Sequence, residues 1–302
     1  MMSDMFSIIT RVKAVKTFKG IDSQGANSIV FILKNKPKFE LKTTKIISRI
    51  VERPNEYRLF ISLTDDNEIS NDIFSVLTED MLSCVENATT EQQVLEILAS
   101  RFQYWSDLFK REREQMDEKW IRGFIGELWF LNTVLVPNIG ISNAVKSWTG
   151  PEKANQDFVT TEKIFEIKTR TQQSDSIRIS NENQLSENMY LVVVEVSKSS
   201  EISNSSINLT NLIVSIKEKI TSPDIHVLFN GKLLELGIFP LEEAKVYDKF
   251  SYTVNSLSYF EIGSGFPFID HSNVPHAVIN YSYDLSLSSI VDLITNEEEI
   301  WK

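Results

Sequence analysis

The run MYLVVVEVS, residues 189–197, is apolar at nearly every position and is bounded by polar residues. It lacks the period of two that a half-solvated strand shows, so it reads as a strand buried on both faces. Its neighbours show what could cover it. Upstream, DEKWIRGFIGELWFLNTVLV is apolar on nearly every side from Phe124 onward and reads as a buried helix. Between the two lie QDFVTT, KIFEIKTR and IRIS, short β-prone pieces separated by Glu162-Lys163 and by the polar QQSDS. A short helical piece is expected around NENQLSEN. Downstream, SINLTNLIVSIKEKI carries Leu209, Leu212, Ile213, Ile216 and Ile220 at helical spacing. Helix, strands, buried strand and helix together predict a compact α/β (α+β) unit at about residues 115–222.

The flanks differ in period. Residues 1–70 are strand-rich, with SIVFILKN and YRLFISL separated by the turn-like QGAN and ERPNE. Residues 71–114 form a helical connector. In DIFSVLTEDMLSCVENA the positions Ile73, Val76, Leu77, Met81, Leu82 and Val85 fall three or four apart. Thr90 and Gln93 have capping-box spacing and precede a stripe of Val94, Leu98, Phe102, Trp105 and Phe109. Residues 223–302 return to strand-like pieces such as YTVNSLSYFEI and are expected to pack on the central unit as a strand-rich region.

Composition excludes several classes. The 302 residues are 42% hydrophobic with one cysteine, Cys84, so no internal disulfide and no multi-cysteine zinc site can form. Cys84 is expected to be a small core residue of its helix. No apolar run approaches the roughly 20 residues that span a bilayer. The N-terminus carries an early acid and no small-residue cleavage site, so no signal peptide is read and the expected location is cytoplasmic. There is no Gly-rich phosphate loop and no nucleophile elbow. The net charge of −11 opposes nucleic-acid binding, yet residues 1–50 hold ten Lys/Arg against three Asp/Glu. That local excess suits either an electrostatic footprint on one face or a solvated basic sheet edge.

The chemistry-bearing residues sit in NQDFVTTEKIFEIKTRTQQ. On a strand, Glu166 and Lys168 share a face with Ile164, while Phe165 and Ile167 point the other way. A tight turn and antiparallel pairing can bring Asp157 beside Glu166. Two adjacent acids raise each other's pKa unless a cation lies between them, and a hard divalent ion such as Mg²⁺ answers that need. Lys168 could then orient an attacking water and offset charge on phosphorus. Glu127 sits inside the apolar helix, where a carboxylate costs several kcal/mol without compensation. The opposing reading is an amphipathic hairpin with solvated charges and a Glu127 that faces water. Arg170 and Gln172 extend the same strand face, and Arg122 lies one turn before Glu127; each suits a phosphate contact or an ordinary surface role. His226 stands alone, and His271 and His276, five apart in HSNVPH, have no cysteine company and are weak candidates for metal ligands.

Asp157-x8-Glu166-x-Lys168, after a helix that carries an acid, resembles the PD-(D/E)XK nuclease superfamily with its restriction-endonuclease-like αβββαβ core. GELWFL, SWTGP before QDFV, FEIKT, IRIS…NQL and YFEIGSGFPFI are similar to a bacterial branch called PD-(D/E)XK motif proteins. The resemblance implies that Asp157 and Glu166 bind the metal, that Glu127 assists the metal or the water, and that Lys168 is the motif lysine. Gln184 corresponds to a glutamine on the next helix in the recombination-nuclease branch. Gln156 replaces the motif proline. The implied activity is a Mg²⁺-dependent DNA endonuclease, with Mn²⁺ able to substitute. Such a protein would be a subunit of a bacterial restriction or phage-defence system, working as a homodimer or with partner subunits on DNA. The alternatives are a non-catalytic nucleic-acid-binding or scaffold subunit that keeps the fold, and a hydrolase of RNA or nucleotides.

Overall fold

The structure is a computed structural model that describes residues 5–42, 46–64, 68–110, 116–152, 154–199, 205–238, 241–269 and 274–301. The chain divides into two compact units, Met1–Glu114 and Gln115–Lys302.

The first unit builds one antiparallel sheet from β1 (Phe6–Ile9), β2 (Lys16–Ile21), β3 (Asn27–Leu33), β4 (Ile46–Arg53) and β5 (Glu56–Leu63), in the order β1-β2-β3-β5-β4. The apolar run of SIVFILKN makes β3 the central strand, and Ile29, Val30, Phe31 and Leu33 are buried there. Two helices follow, α1 (Glu68–Val85) and α2 (Glu91–Lys110). The stripe from Ile73 to Val85 is buried as its spacing predicts. The capping box forms in both directions: Gln93 N–H donates to Thr90 Oγ1 at 3.3 Å, and Thr90 N–H donates to Gln93 Oε1 at 3.3 Å. Val94, Leu98, Phe102 and Trp105 are buried, while the Phe109 side chain lies outside the described residues. Cys84 departs from expectation and is exposed. It lies one turn beyond Asp80, on the strip that carries the 2.6 Å Asp80–Arg101 ion pair, so its thiol meets a polar pair instead of the core.

The second unit begins with α3 (Glu118–Phe130). Asp117 caps it by accepting the Trp120 N–H at 2.7 Å, which satisfies one of the orphan donors of the first turn. A π-helical turn (Leu131–Leu135), α4 (Val136–Ile139) and α5 (Ile141–Ser147) lead to β6 (Phe158–Val159), β7 (Ile164–Thr171), β8 (Ser176–Ile179) and β9 (Met189–Lys198). Then come α6 (Leu209–Lys219), α7 (Pro223–Glu235), α8 (Leu241–Lys245), β10 (Tyr252–Ile262), β11 (Tyr283–Ser286) and β12 (Ile294–Thr295). The main sheet runs β12-β10-β9-β7-β6, with β7 parallel to β9 and the other pairs antiparallel; β8 and β11 form a separate pair. No helix among the described residues is long and apolar enough to cross a membrane.

MYLVVVEVS is buried on both faces, as its composition requires. On one side Phe130 of α3 packs its ring 5.3 Å from Phe165 and 6.4 Å from Tyr259. On the other, Leu191 and Val193 meet Ile177 and Ile179 of β8, Leu285 of β11, and Phe260 and Ile262 of β10. In chain order the unit runs α3, β6, β7, β8, β9 and α6, with β10 added to the sheet later in the chain, a mixed α+β fold consistent with the PD-(D/E)XK type. Two features differ from the sequence reading. NENQLSEN is a turn and not a helix, so the parallel β7–β9 crossover passes through β8. Its polar side chains favour local backbone bonds: Asn181 Oδ1 takes the Asn183 N–H at 2.9 Å, and Asn188 adopts φ 63°. The region after residue 222, read as strand-like, opens instead with the helix α7 and then supplies β10 to the core sheet.

Gly126 sets the approach of α3 to β7. A Cβ built there would stand 1.9 Å from Thr169 Oγ1 and 3.1 Å from Thr169 Cβ, whereas one at Gly123 would meet nothing within 4 Å. Alanine normally stabilises a helix interior by about 1 kcal/mol relative to glycine. Gly123→Ala is therefore expected to raise stability by about 0.5–1 kcal/mol in urea unfolding. Gly126→Ala is expected to lower it by about 1–3 kcal/mol through overpacking, partly recovered by Thr169→Ala. Equal effects of the two alanines would refute the close approach.

Candidate active site

The short strand β6 pairs with β7 only at Phe158↔Phe165 and Val159↔Ile164, so the β7 edge beyond Phe165 has no strand on that side. A buried strand N–H needs an acceptor. Asp157 provides it: its Oδ2 accepts the Ile167 N–H at 2.7 Å. The same bond fixes the Asp157 carboxyl against β7, beside Glu166. From behind, the Asp157 carbonyl accepts the N–H groups of Thr149 at 2.8 Å and Gly150 at 3.2 Å.

Glu166 is only 1% exposed, which rules out the solvated hairpin. Its Oε1 accepts a 2.6 Å bond from Lys168 Nζ, and its Oε2 is buried without a hydrogen-bond partner. Lys168 Nζ also donates to Gln184 Oε1 at 3.1 Å, and that oxygen accepts the Ser180 N–H at 2.7 Å. Gln184 is thus placed beside Lys168, from a turn and not from a helix. Gln156, standing in the position of the motif proline, donates from Nε2 to the Asn183 carbonyl at 2.7 Å and ties this turn to the segment before Asp157.

Glu127 reaches the site from α3, half-buried at the cleft wall, with Oε2 accepting the Trp148 indole N–H at 3.0 Å. Gly150 separates it from Asp157. A Cβ at residue 150 would lie 3.1 Å from Glu127 Oε2 and 3.3 Å from Asp157 Oδ1, so both oxygens border a gap that a side chain would fill. Glu127, Asp157, Glu166, Lys168 and Gln184 all line one cleft of about 690 Å³.

Burial dominates the electrostatics. It pushes the Glu166 carboxyl up to about 8, helped by the Asp157 charge and opposed by Lys168. Asp157 rises to about 6 by burial, against the Ile167 N–H and Lys168. The Glu127 carboxyl, dehydrated at the cleft wall although the residue is only half-buried, is raised well above its ordinary value, by loss of water first and by Asp157 next, with the Trp148 bond opposing. Three acids lining one cleft are not easily ionised together without an added cation.

Among the described residues no three or more His, Cys, Asp or Glu side chains form a ready-made metal cage. A hard cation such as Mg²⁺ does not need one, since one or two carboxylates with waters and substrate phosphate suffice. The all-oxygen donor set, the orphaned Glu166 Oε2 and the gap at Gly150 fit such an ion, which Asp157 and Glu166 would hold with Glu127 across the gap.

Other candidates fall away. The Arg170 guanidinium lines the cleft but is held by Glu195 and the Ser174 carbonyl. Gln172, His226 and His276 do not line it, and His271 lies outside the described residues. Arg122 does line it, with a buried Nε that lacks a partner. Lys232 of α7 was missed: only 4% exposed, it donates to the Trp148 carbonyl and, at 2.6 Å, to Glu152. It therefore braces the 148–152 segment that orients both Glu127 and Asp157. The signal was a lysine within the apolar stripe Ile225, Phe229, Leu233, the same anomaly that Glu127 presents in α3.

A family model described as "Putative PD-(D/E)XK family member, (DUF4420)" matches residues 5–288. No curated protein and no solved structure matches the chain.

Proposed function

We propose, for a chain that belongs to the DUF4420 family of PD-(D/E)XK type, a metal-dependent phosphodiester hydrolase that cuts DNA. The observation that carries this reading is the Glu166 carboxylate, buried beside Asp157 with one oxygen on Lys168 and the other without a partner. Burying two acids side by side is destabilising unless charge compensates them, and a divalent ion at a phosphodiester supplies that charge. PD-(D/E)XK nucleases generally use divalent metals; Mg²⁺ is the ion we assign, with Mn²⁺ as substitute.

When bound, the ion acidifies a water and stabilises the developing phosphoryl charge. The chain's own groups do the positioning. Asp157 is locked by the Ile167 N–H, so one oxygen is committed to the backbone and the other is free to bind. Lys168, pinned between Glu166 and Gln184, keeps its ammonium at the cleft floor, where it orients the attacking water and offsets charge on the phosphate. A proton carried by Glu127 belongs on Oε1, because Oε2 already accepts the indole N–H.

An acidic chain of net charge −11 is a poor free-standing DNA binder, since phosphate contacts dominate affinity. That favours a subunit of a bacterial restriction or phage-defence assembly, with a second copy or a partner supplying positive surface.

The test uses wild type, Asp157→Ala and Glu166→Ala, with linear and supercoiled DNA in Mg²⁺ or Mn²⁺. Wild-type cleavage should fall by about 100-fold or more in either variant. Cleavage that persists in both would refute the assignment. So would calorimetry that finds no Mn²⁺ binding to wild type, which decides the matter even where cutting needs a partner.

A further inference from the structure

We propose that Trp120 is a stacking platform for an unpaired nucleobase, so that the cleft takes single-stranded nucleic acid beside the cutting site; this rests on the hydrolase reading above. Four rings form a column. Trp120 lies 5.4 Å from Phe124 at 26°, Phe124 lies 5.6 Å from Trp148 at 28°, and Trp148 lies 5.9 Å from Phe229 at 41°. The three inner rings are buried, at 3%, 0% and 0% exposure, while Trp120 is 40% exposed and lines the cleft. The column therefore ends on an indole that is open to the substrate space.

Its position is fixed from both ends. Asp117 holds the Trp120 backbone N–H, and Trp148, deeper in the same column, holds Glu127. Trp120 and Glu127 are seven residues apart, two turns along one side of α3 and about 10.5 Å in axial rise. That distance corresponds to about three stacked nucleotide steps of ~3.4 Å, and fewer for an extended strand. Arg122, one turn before Glu127 and with a partnerless Nε, and Lys119 line the same cleft and suit the adjoining phosphates, whereas Arg178, also at the cleft, is paired with Asp284. Inside a duplex both faces of each base are covered by neighbours, so away from duplex ends an indole can accept only a base that is unpaired or turned out.

The experiment measures fluorescence anisotropy of the full chain with Ca²⁺ present, using labelled twelve-residue oligothymidylate, oligouridylate and an oligothymidylate–oligoadenylate duplex. Trp120→Ala should weaken single-strand binding by about tenfold to a hundredfold, with Trp120→Phe within about threefold of wild type. The duplex should be little affected. The polymer that the alanine weakens, deoxy or ribo, is the one the platform serves. Unchanged single-strand affinity in Trp120→Ala, equal losses for the duplex, or no oligonucleotide binding by wild type would each overturn the platform. Mn²⁺ calorimetry on the same samples separates the two ideas. Mn²⁺ binding with an inert Trp120 leaves the hydrolase reading standing and removes the platform. Trp120-dependent binding without Mn²⁺ binding keeps the platform and removes the hydrolase.

Discussion

Lys168→Met is expected to slow phosphodiester cleavage by about 100-fold or more while leaving Mn²⁺ affinity equal to wild type or tighter. The two effects separate because Lys168 and a metal ion compete for one carboxylate. The lysine occupies Glu166 Oε1 at 2.6 Å and leaves Oε2 without a partner. Removing the ammonium strips charge compensation from Glu166, whose demand for a cation then grows. What disappears is the positive charge that Lys168 holds at the cleft floor, anchored by Gln184 at 3.1 Å. Single-turnover cleavage and Mn²⁺ calorimetry on the same preparation read the two quantities. If both fell together, Lys168 would be serving the fold and not the reaction.

The second large effect is on stability. Without divalent ions, the site should favour the folded state at low pH and oppose it at high pH. Asp157 moves from an ordinary 3.8 to about 6 on folding, and Glu166 from 4.5 to about 8. A carboxyl whose pKa is raised in the folded state contributes stability below its unfolded value and loses it as pH climbs through the folded value. For Asp157 the loss is on the order of 3 kcal/mol, completed above about pH 6. Glu166 loses a comparable or larger amount by about pH 8; the two do not simply add, because Asp157 is itself a cause of the Glu166 rise. The measurement compares wild type with the Asp157→Asn/Glu166→Gln isostere by urea unfolding in EDTA. The isostere should be more stable than wild type at pH 8 by several kcal/mol and should lose that advantage near pH 5. Adding Mg²⁺ at pH 8 should raise wild type alone. A difference that stays constant across pH would contradict buried, mutually repelling acids.

Much of this site was legible in the sequence because its grammar is local. The two-residue period of KIFEIKTR puts Glu166 and Lys168 on one face, and the tight turn at Glu162-Lys163 sets the register that brings Asp157 alongside. Glu127 stood out as an acid in an apolar helix. The rest depends on pairings that no short window contains. β10 joins β9 through Tyr252↔Lys198, across α6, α7 and α8, so its place in the core sheet had no local signature. Lys232 reaches the Trp148 carbonyl from 84 residues away. The NENQLSEN helix failed for the opposite reason: its polar side chains satisfy nearby backbone groups and stabilise a turn, a competition that apolar spacing does not register. Cysteine is usually a small buried residue, but Asp80 and Arg101 make the strip that carries Cys84 polar. Trp120 precedes the all-round apolar stretch that begins at Phe124, and only its exposure at the end of a ring column marks it.

Diffraction at the manganese absorption edge, from crystals grown with Mn²⁺, asks most directly whether these side chains share one cation. The expected result is an anomalous peak bonded to carboxylate oxygens of both Asp157 and Glu166, at about the 2.1 Å typical of small hard cations. A peak elsewhere, with Asp157 Oδ1 bonded to no ion and Glu166 bound only to Lys168, would show that the pair is structural and the hydrolase assignment wrong.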